Sequence, residues 1–190
     1  MREDKTIDAI RGSRTCALLP QLACLAGALA VLCSAGAATA DPPSEAAVKA
    51  AFVYNFAKFV EWPANASAKN AITLCVAGTQ PELATSLAGL AGKSVQGHTL
   101  AVKNNVLAAD LDTCQVLYLG SEARPLAGQA RGRAGLLTVS DMPGFAQSGG
   151  MIGLFSEGDR IRFEINPRSA VAAGLKVSSQ LMKLAKVVEE

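Results

Sequence analysis

The chain predicts a single α/β domain: a mixed β-sheet flanked by helices on both faces, with a C-terminal β-hairpin followed by further helices. Three observations predict it. Short apolar runs ended by glycine alternate with helix-like segments from residue 44 onward, the pattern of a sheet covered on both faces. Met151 to Phe155 and Arg160 to Ile165 flank Ser156-Glu157-Gly158-Asp159, a β-hairpin that adds an antiparallel element. No linker, repeat or low-complexity tract divides residues 41–190, and about 150 residues suffice for one ordinary core.

The elements follow in order. Ser44 can cap a helix in which Phe52, Phe56, Phe59 and Val60 recur at helical spacing, leaving Lys49, Asn55 and Lys58 for the wetter side. That apolar stripe reads first as core and second as a subunit or partner interface. Pro63 ends the segment, and Trp62 before it is pushed out of helical geometry. Ile72 to Val76 reads as a buried strand stopped by Gly78, and Pro81 to Leu90 as a short helix closed by Gly89 or Gly92. Leu100 to Val106 and Cys114 to Leu119 are strands, the latter ended by Gly120. Pro125 to Ala134 reads as helix, and Gly135 to Val139 as a strand running into Ser140-Asp141. In the hairpin's second strand Ile161, Phe163 and Ile165 alternate with Arg160, Arg162 and Glu164, which predicts one buried and one polar face. Asn166 can cap a helix with Pro167 in its first turn, and Gly174 ends it. A last helix from Ser178 carries Leu181, Leu184, Ala185 and Val188 on one side.

Residues 1–40 stand apart. Arg2, Lys5, Arg11 and Arg14 form a basic start, diluted by Glu3, Asp4 and Asp8, before an apolar or small run from Cys16 to Leu32 and Ala38-Thr39-Ala40. That order reads as a cleaved secretory signal peptide, with the mature protein beginning at Asp41, outside the cytoplasm. A membrane anchor is the competing reading, but a run of about 17 residues is at the bottom of the spanning range, and Pro20 interrupts it. Cys24 and Cys33 lack the context of a lipid-attachment cysteine, and there is no Arg-Arg pair for twin-arginine export.

Residues 41–190 have a net charge of +1, which gives no electrostatic basis for binding nucleic acid. They keep two cysteines, Cys75 and Cys114. An even number in an oxidising compartment predicts a disulfide, worth roughly 4 kcal/mol on chain-entropy grounds. Two free buried thiols are the alternative, and a redox-catalytic pair lacks C-x-x-C spacing.

The constellations of common enzymes are missing, and no catalytic residue, metal ligand or cofactor is assigned. His98, the single histidine, stands in a turn beside Gly97 and reads as a surface residue, with no G-x-S-x-G nucleophile to serve. Gly92-Lys93-Ser94 resembles the end of a phosphate loop, but position 87 is Leu87, where that motif needs glycine. No acidic run has the spacing of a calcium loop. Asp141 follows a strand end, the edge at which α/β folds bind ligands, and Glu164 lies near Arg162 on the hairpin. A hydrolytic carboxylate pair is conceivable; a capped turn at Asp141 and a surface ion pair at Glu164 are the simpler readings. The glycine-rich loop 141–150 is either a tight connection or a rim presenting Phe145. Asp141, Phe145, Arg162 and Asn166 are thus the candidate ligand- or partner-binding residues, with the Arg162 fork able to clamp an anion.

Lys49-Ala-Ala-Phe-Val-Tyr-Asn-Phe-Ala-Lys-Phe-Val-Glu-Trp-Pro63 resembles the opening of the YfiR-like family of exported bacterial proteins. Thr138-Val-Ser-Asp141, Gly144-Phe145, Gly149-Gly-Met-Ile152 and Arg162-Phe-Glu-Ile-Asn166 are similar to its second block. Gly174-Leu-Lys-Val-Ser-Ser179 and Leu184-Ala-Lys186 complete it. Cys75 and Cys114 match cysteines that form a disulfide in the family's namesake, whose second disulfide has no counterpart here. The resemblance implies regulation: a periplasmic repressor of an inner-membrane diguanylate cyclase, itself sequestered by an OmpA-like lipoprotein, controlling cyclic di-GMP and biofilm formation. The implied partner is the periplasmic region of such a sensor, with homodimerisation left open. The competing expectation is a small-molecule-binding protein with its site near Asp141 and Arg162.

Overall fold

The computed structural model describes residues 42–63 and 71–188; the expected signal peptide lies outside them. In chain order these form α1 (Glu45–Phe59), β1 (Val60–Glu61), β2 (Ala71–Ala77), α2 (Pro81–Ala88), β3 (Ser94–Val95), β4 (His98–Asn104) and β5 (Val116–Leu119). Then come α3 (Arg124–Ala130), β6 (Leu137–Ser140), β7 (Ile152–Glu157), β8 (Arg160–Ile165), α4 (Pro167–Ala172), β9 (Lys176–Val177), α5 (Ser179–Leu184) and β10 (Lys186–Val187). A 3-10 helix at Ala108–Thr113 precedes β5.

Eight strands form one mixed sheet in the order β10-β8-β7-β6-β5-β2-β4-β3, so the α/β class is as expected. β4, β2, β5, β6 and β7 run parallel, while β7 and β8 form the expected antiparallel hairpin. The parallel part starts at its middle. From β2 the chain adds β4 on one side, then returns across β2 to add β5, β6 and β7 on the other. That is a doubly wound sheet with its order reversing between β2 and β5.

Parallel strands need cover on both faces, and the residue alternation supplies it. Ile72, Leu74 and Val76 of β2 and Val116 and Tyr118 of β5 point into a core with Val53 and Phe56 of α1 and Leu83 and Leu87 of α2. Their neighbours Cys75, Ala77, Leu117 and Leu119 point the other way, to Leu126 and Ala130 of α3 and to Leu111 of the 3-10 helix. The Cys75–Cys114 disulfide joins β2 to the start of β5 on this second face, across a sequence separation of 39.

Several boundaries differ from expectation, each for a tertiary reason. α1 stops at Phe59 rather than near Pro63, because Val60–Glu61 pairs antiparallel with Val177 and Lys176 of β9. Its last carbonyls are met from elsewhere: the Gln96 side-chain amide donates to Ala57, Lys58 and Val60. Gln96 can do so because Gln96 and Gly97, with φ of 51° and 82°, form the two-residue β3–β4 turn, where both central residues take positive φ. His98 therefore opens β4 rather than sitting in the turn. The C-terminal helix ends at Leu184, and Lys186–Val187 instead pairs parallel with Glu164 and Ile165. Ala185 and Val188 are outside the helix, and Leu184 is exposed.

The aromatic stripe of α1 divides by depth. Phe56 is fully buried, with Phe52 stacked on it at 5.9 Å and Phe163 of β8 at 5.0 Å, whereas Phe59 is 36% exposed. Core truncation of a buried phenylalanine leaves a cavity that neighbours fill only in part. Phe56→Ala is expected to destabilise by about 3–5 kcal/mol in urea unfolding, and Phe59→Ala by under about 1 kcal/mol.

Candidate functional site

Where the strand order reverses, the loops after β2 and β5 leave over opposite faces and a crevice opens between them. Its volume is about 430 Å³. The floor is backbone. Gly78 follows β2 and Gly120 follows β5, and they approach so closely that a Cβ on Gly120 would lie 1.9 Å from the Gly78 carbonyl oxygen. No side chain fits there. One wall is the first turns of α1, with Ser44, Glu45, Ala46 and Lys49; the facing wall is Thr79, Gln80 and the start of α2, with Glu82, Leu83 and Ser86. Ser121 and Asp141 close the crevice from the ends of β5 and β6.

Two capping choices place the polar groups. Ser44 Oγ accepts from the Ala47 N–H at 3.2 Å, which sets where α1 begins and so aims Glu45 and Lys49 at the sheet edge. Ser140 Oγ donates to the Leu119 carbonyl at 2.7 Å and accepts from the Met142 N–H at 3.0 Å, tying the end of β6 to that of β5 with Asp141 between. Lys49 Nζ then donates to Asp141 Oδ2 at 2.7 Å and lies 2.8 Å from Glu45 Oε1. Lys49 was expected on the wetter side of the helix; it is instead the ammonium at the crevice wall. Helical periodicity assigns a face, and it cannot foresee a carboxylate arriving from 92 residues downstream.

Beneath this pair lies Tyr118, fully buried on β5, its hydroxyl without a hydrogen-bond partner among the described residues. The hydroxyl faces the Asp141 carboxylate without meeting hydrogen-bond geometry. Burial above all, and then the Asp141 and Glu45 charges, hold the Tyr118 pKa well above the usual phenol range. For Lys49, burial alone would lower the pKa, but the hydrogen bonds and charges of Asp141 and Glu45 outweigh it and raise it.

Of the four candidates read from the sequence, Asp141 alone lines this crevice. Arg162 is exposed on β8 and its Nε donates to Glu157 Oε2 at 3.0 Å across the hairpin. Glu164 is not its ion-pair partner: it is buried and accepts from Gln147 Nε2 at 2.7 Å. The polar face expected there is thus half covered, because the glycine-rich loop folds over it. Phe145 is 6% exposed rather than presented at a rim; a Cβ on Gly150 would lie 2.2 Å from its ring, so the glycine is what lets the loop close over it. Asn166 is 2% exposed, caps α4 through the Ser169 N–H at 3.0 Å and donates to the Ala146 carbonyl at 3.0 Å. Both hold the loop in place. Lys49, Glu45, Glu82 and Tyr118 went unassigned to a site, although Lys49 opens the block quoted above for its resemblance.

Fold and crevice together define a doubly wound α/β domain with a polar cleft at its strand-order reversal. The chain belongs to the YfiR/HmsC-like family (DUF4154), whose pattern it matches over residues 46–186. Among curated proteins no match is found. A conserved domain protein from Vibrio cholerae O1 biovar El Tor str. N16961, solved by crystallography, is similar at a TM-score of 0.47 and 11% identity. The alignment covers 77% of this chain and 60% of that one.

Both raised pKa values set a sign for alkaline stability. A group that holds its proton more tightly when folded stabilises the fold below its unfolded pKa, and that contribution fades as pH rises toward the folded value. With unfolded values of about 10 for tyrosine and 10.4 for lysine, stability is expected to fall above about pH 10. Tyr118→Phe removes a buried unpartnered hydroxyl; it is expected to fold at neutral pH with unchanged or slightly higher stability and to shift alkaline unfolding to higher pH. Asp141→Asn is expected to cost about 1–2 kcal/mol by leaving Lys49 with one exposed partner. Urea titrations at pH 7 and pH 11 check both.

Proposed function

We propose that this protein is a periplasmic regulator of cyclic di-GMP signalling that binds the periplasmic region of an inner-membrane sensor, a diguanylate cyclase, and holds it inactive. The observation that carries the reading is membership of the YfiR/HmsC-like family across residues 46–186. A binding protein represses only by preferring one state of its target, so affinity for the inactive sensor sets biofilm output. An OmpA-like lipoprotein would relieve repression by competing for the regulator. No helix among the described residues is long and apolar enough to cross a membrane.

Exposed apolar side chains support a partner surface. Phe59, Val171 and Leu184 are exposed on α1, α4 and α5, three helices whose buried residues belong to the same core cluster. A second reading, binding of a small molecule, is favoured by one observation: Asp141 stands in a crevice with other polar groups at the strand ends, where doubly wound domains take ligands.

Crosslinking in cells, with a tag after Glu190, is expected to recover a membrane-bound diguanylate cyclase. Recovery of no membrane protein by folded regulator would overturn the repressor reading. The disulfide makes a further expectation testable. Cys75→Ser with Cys114→Ser should lower stability by about 2–4 kcal/mol and weaken partner recovery; unchanged melting and recovery would remove the disulfide from regulation.

A further inference from the structure

A second hollow, of about 160 Å³, opens on the other face of the sheet, between α3 and the glycine-rich loop after β6. It shares no lining residue with the crevice. One wall is a single stripe of α3 and its cap. Arg124, Ala127, Gly128 and Arg131 stand at i, i+3, i+4 and i+7, the spacing that puts side chains on one helix face. The two small residues leave the middle of that stripe bare: a Cβ on Gly128 would meet no atom within 4 Å. The result is a slot with an arginine at each end, two helical turns apart. Its opposite side comes from the loop, where Met142 and Phe145 are buried and the Phe145 ring lies against Gly150.

No carboxylate neutralises this pair. α3 and loop residues 142–150 contain no Asp or Glu, and Asp141 before the loop turns to Lys49 in the crevice. Arg133 and Arg162 pair with Asp112 and Glu157, but among the described residues Arg124 and Arg131 have no carboxylate partner. Arg131 is also fixed in place. Its Nη2 donates to the Ser148 carbonyl, and its side chain lies along the Gly149 backbone, where a Cβ would come within 2.8 Å of Nε. That anchoring uses one of the five guanidinium N–H donors and leaves the other Nη for an incoming acceptor. A guanidinium already held gives up little further freedom on binding. Carboxylates and phosphates present the paired oxygens that its fork matches, while Met142 and Phe145 give an apolar side to whatever carries them. The slot is smaller than the ~300–1,000 Å³ of drug-sized sites, so its ligand is correspondingly small.

We propose that this slot binds a small organic anion, a carboxylate or phosphate monoester on a flat apolar body. The anionic group lies between Arg124 and Arg131, and the body lies over Gly128 against Met142 and Phe145. Such a ligand bridges α3 to the glycine-rich loop. The site is additional to the sensor-binding reading and separate from the crevice at the strand-order reversal.

The test uses the purified full chain at low ionic strength, with melting temperature and calorimetric binding as readouts. Benzoate and phenyl phosphate are the probes, set against benzamide and benzylamine, which keep the body and lose or reverse the charge. At least one of the anions is expected to bind and raise the melting temperature, and which one assigns the head group. Arg124→Gln and Arg131→Lys should each weaken that binding about 10-fold, the scale of one lost charge-assisted hydrogen bond. Arg124 is exposed, so its variant keeps the test valid if Arg131→Lys loosens the loop. Gly128→Leu improves helix propensity and has open space for its Cβ; it should fold as well as the parent and lose the ligand. Arg162→Gln, outside the slot, should bind as the parent does. Absence of anion binding, or equal binding of benzamide or benzylamine, overturns the proposal. So does undiminished binding by Arg124→Gln and Gly128→Leu, or equal weakening in Arg162→Gln.

Discussion

β2 is hydrogen-bonded on both sides, to β4 and to β5, and covered on both faces. Because the chain enters the sheet at this central strand, it must wind outward twice, once in each direction. The two excursions cover opposite faces, so the loops that leave β2 and β5 diverge and cannot seal the gap between them. Gly78 and Gly120 are the local condition for this. Their backbones touch, so the strands keep register to their ends and the floor of the gap stays free of side chains. Crevice, wall and charge placement all follow from that one arrangement.

The ion pair between Lys49 and Asp141 adds long-range order to it. Both ends are largely shielded from water, and the pair ties the first helix to the end of β6. Partly buried pairs stabilise little beyond the cost of removing their charges from water, so the contribution here is placement. The pair draws together the two blocks of sequence through which the family resemblance is read. Tyr118 beneath Asp141 shows the other side of a low-dielectric site: a hydroxyl buried without a full hydrogen bond is disfavoured.

Much of the architecture was legible from residues 44–190. Ser44, Asn166 and Ser178 announce helix starts because a side-chain oxygen accepting from a first-turn N–H is a local event. The hairpin around Gly158 was legible for the same reason. The apolar runs of β2, β5 and β6 were readable as strands covered on both faces, since they lack a polar alternation. Legibility failed where a partner distant in sequence decides. Val60–Glu61 becomes a strand because β9 is beside it, and Lys186–Val187 because β8 offers a free edge. Glu164 is buried because Gln147 arrives over it, and Phe145 turns inward because Gly150 leaves room.

The sequence by itself determined the α/β class, the order of the longer helices and strands, the cysteine pair available for a disulfide and the likeness to an exported regulatory family. These rest on periodicity, caps and turn residues, which act within a few positions along the chain. Only the tertiary structure decided which polar residues share a site. Asp141 was visible as a strand-end carboxylate, but its companions Lys49, Glu45, Glu82 and Tyr118 come from three other elements. They meet because the strand order reverses between β2 and β5, and that reversal is a property of how strands pair in space, with no mark at any single position in the chain.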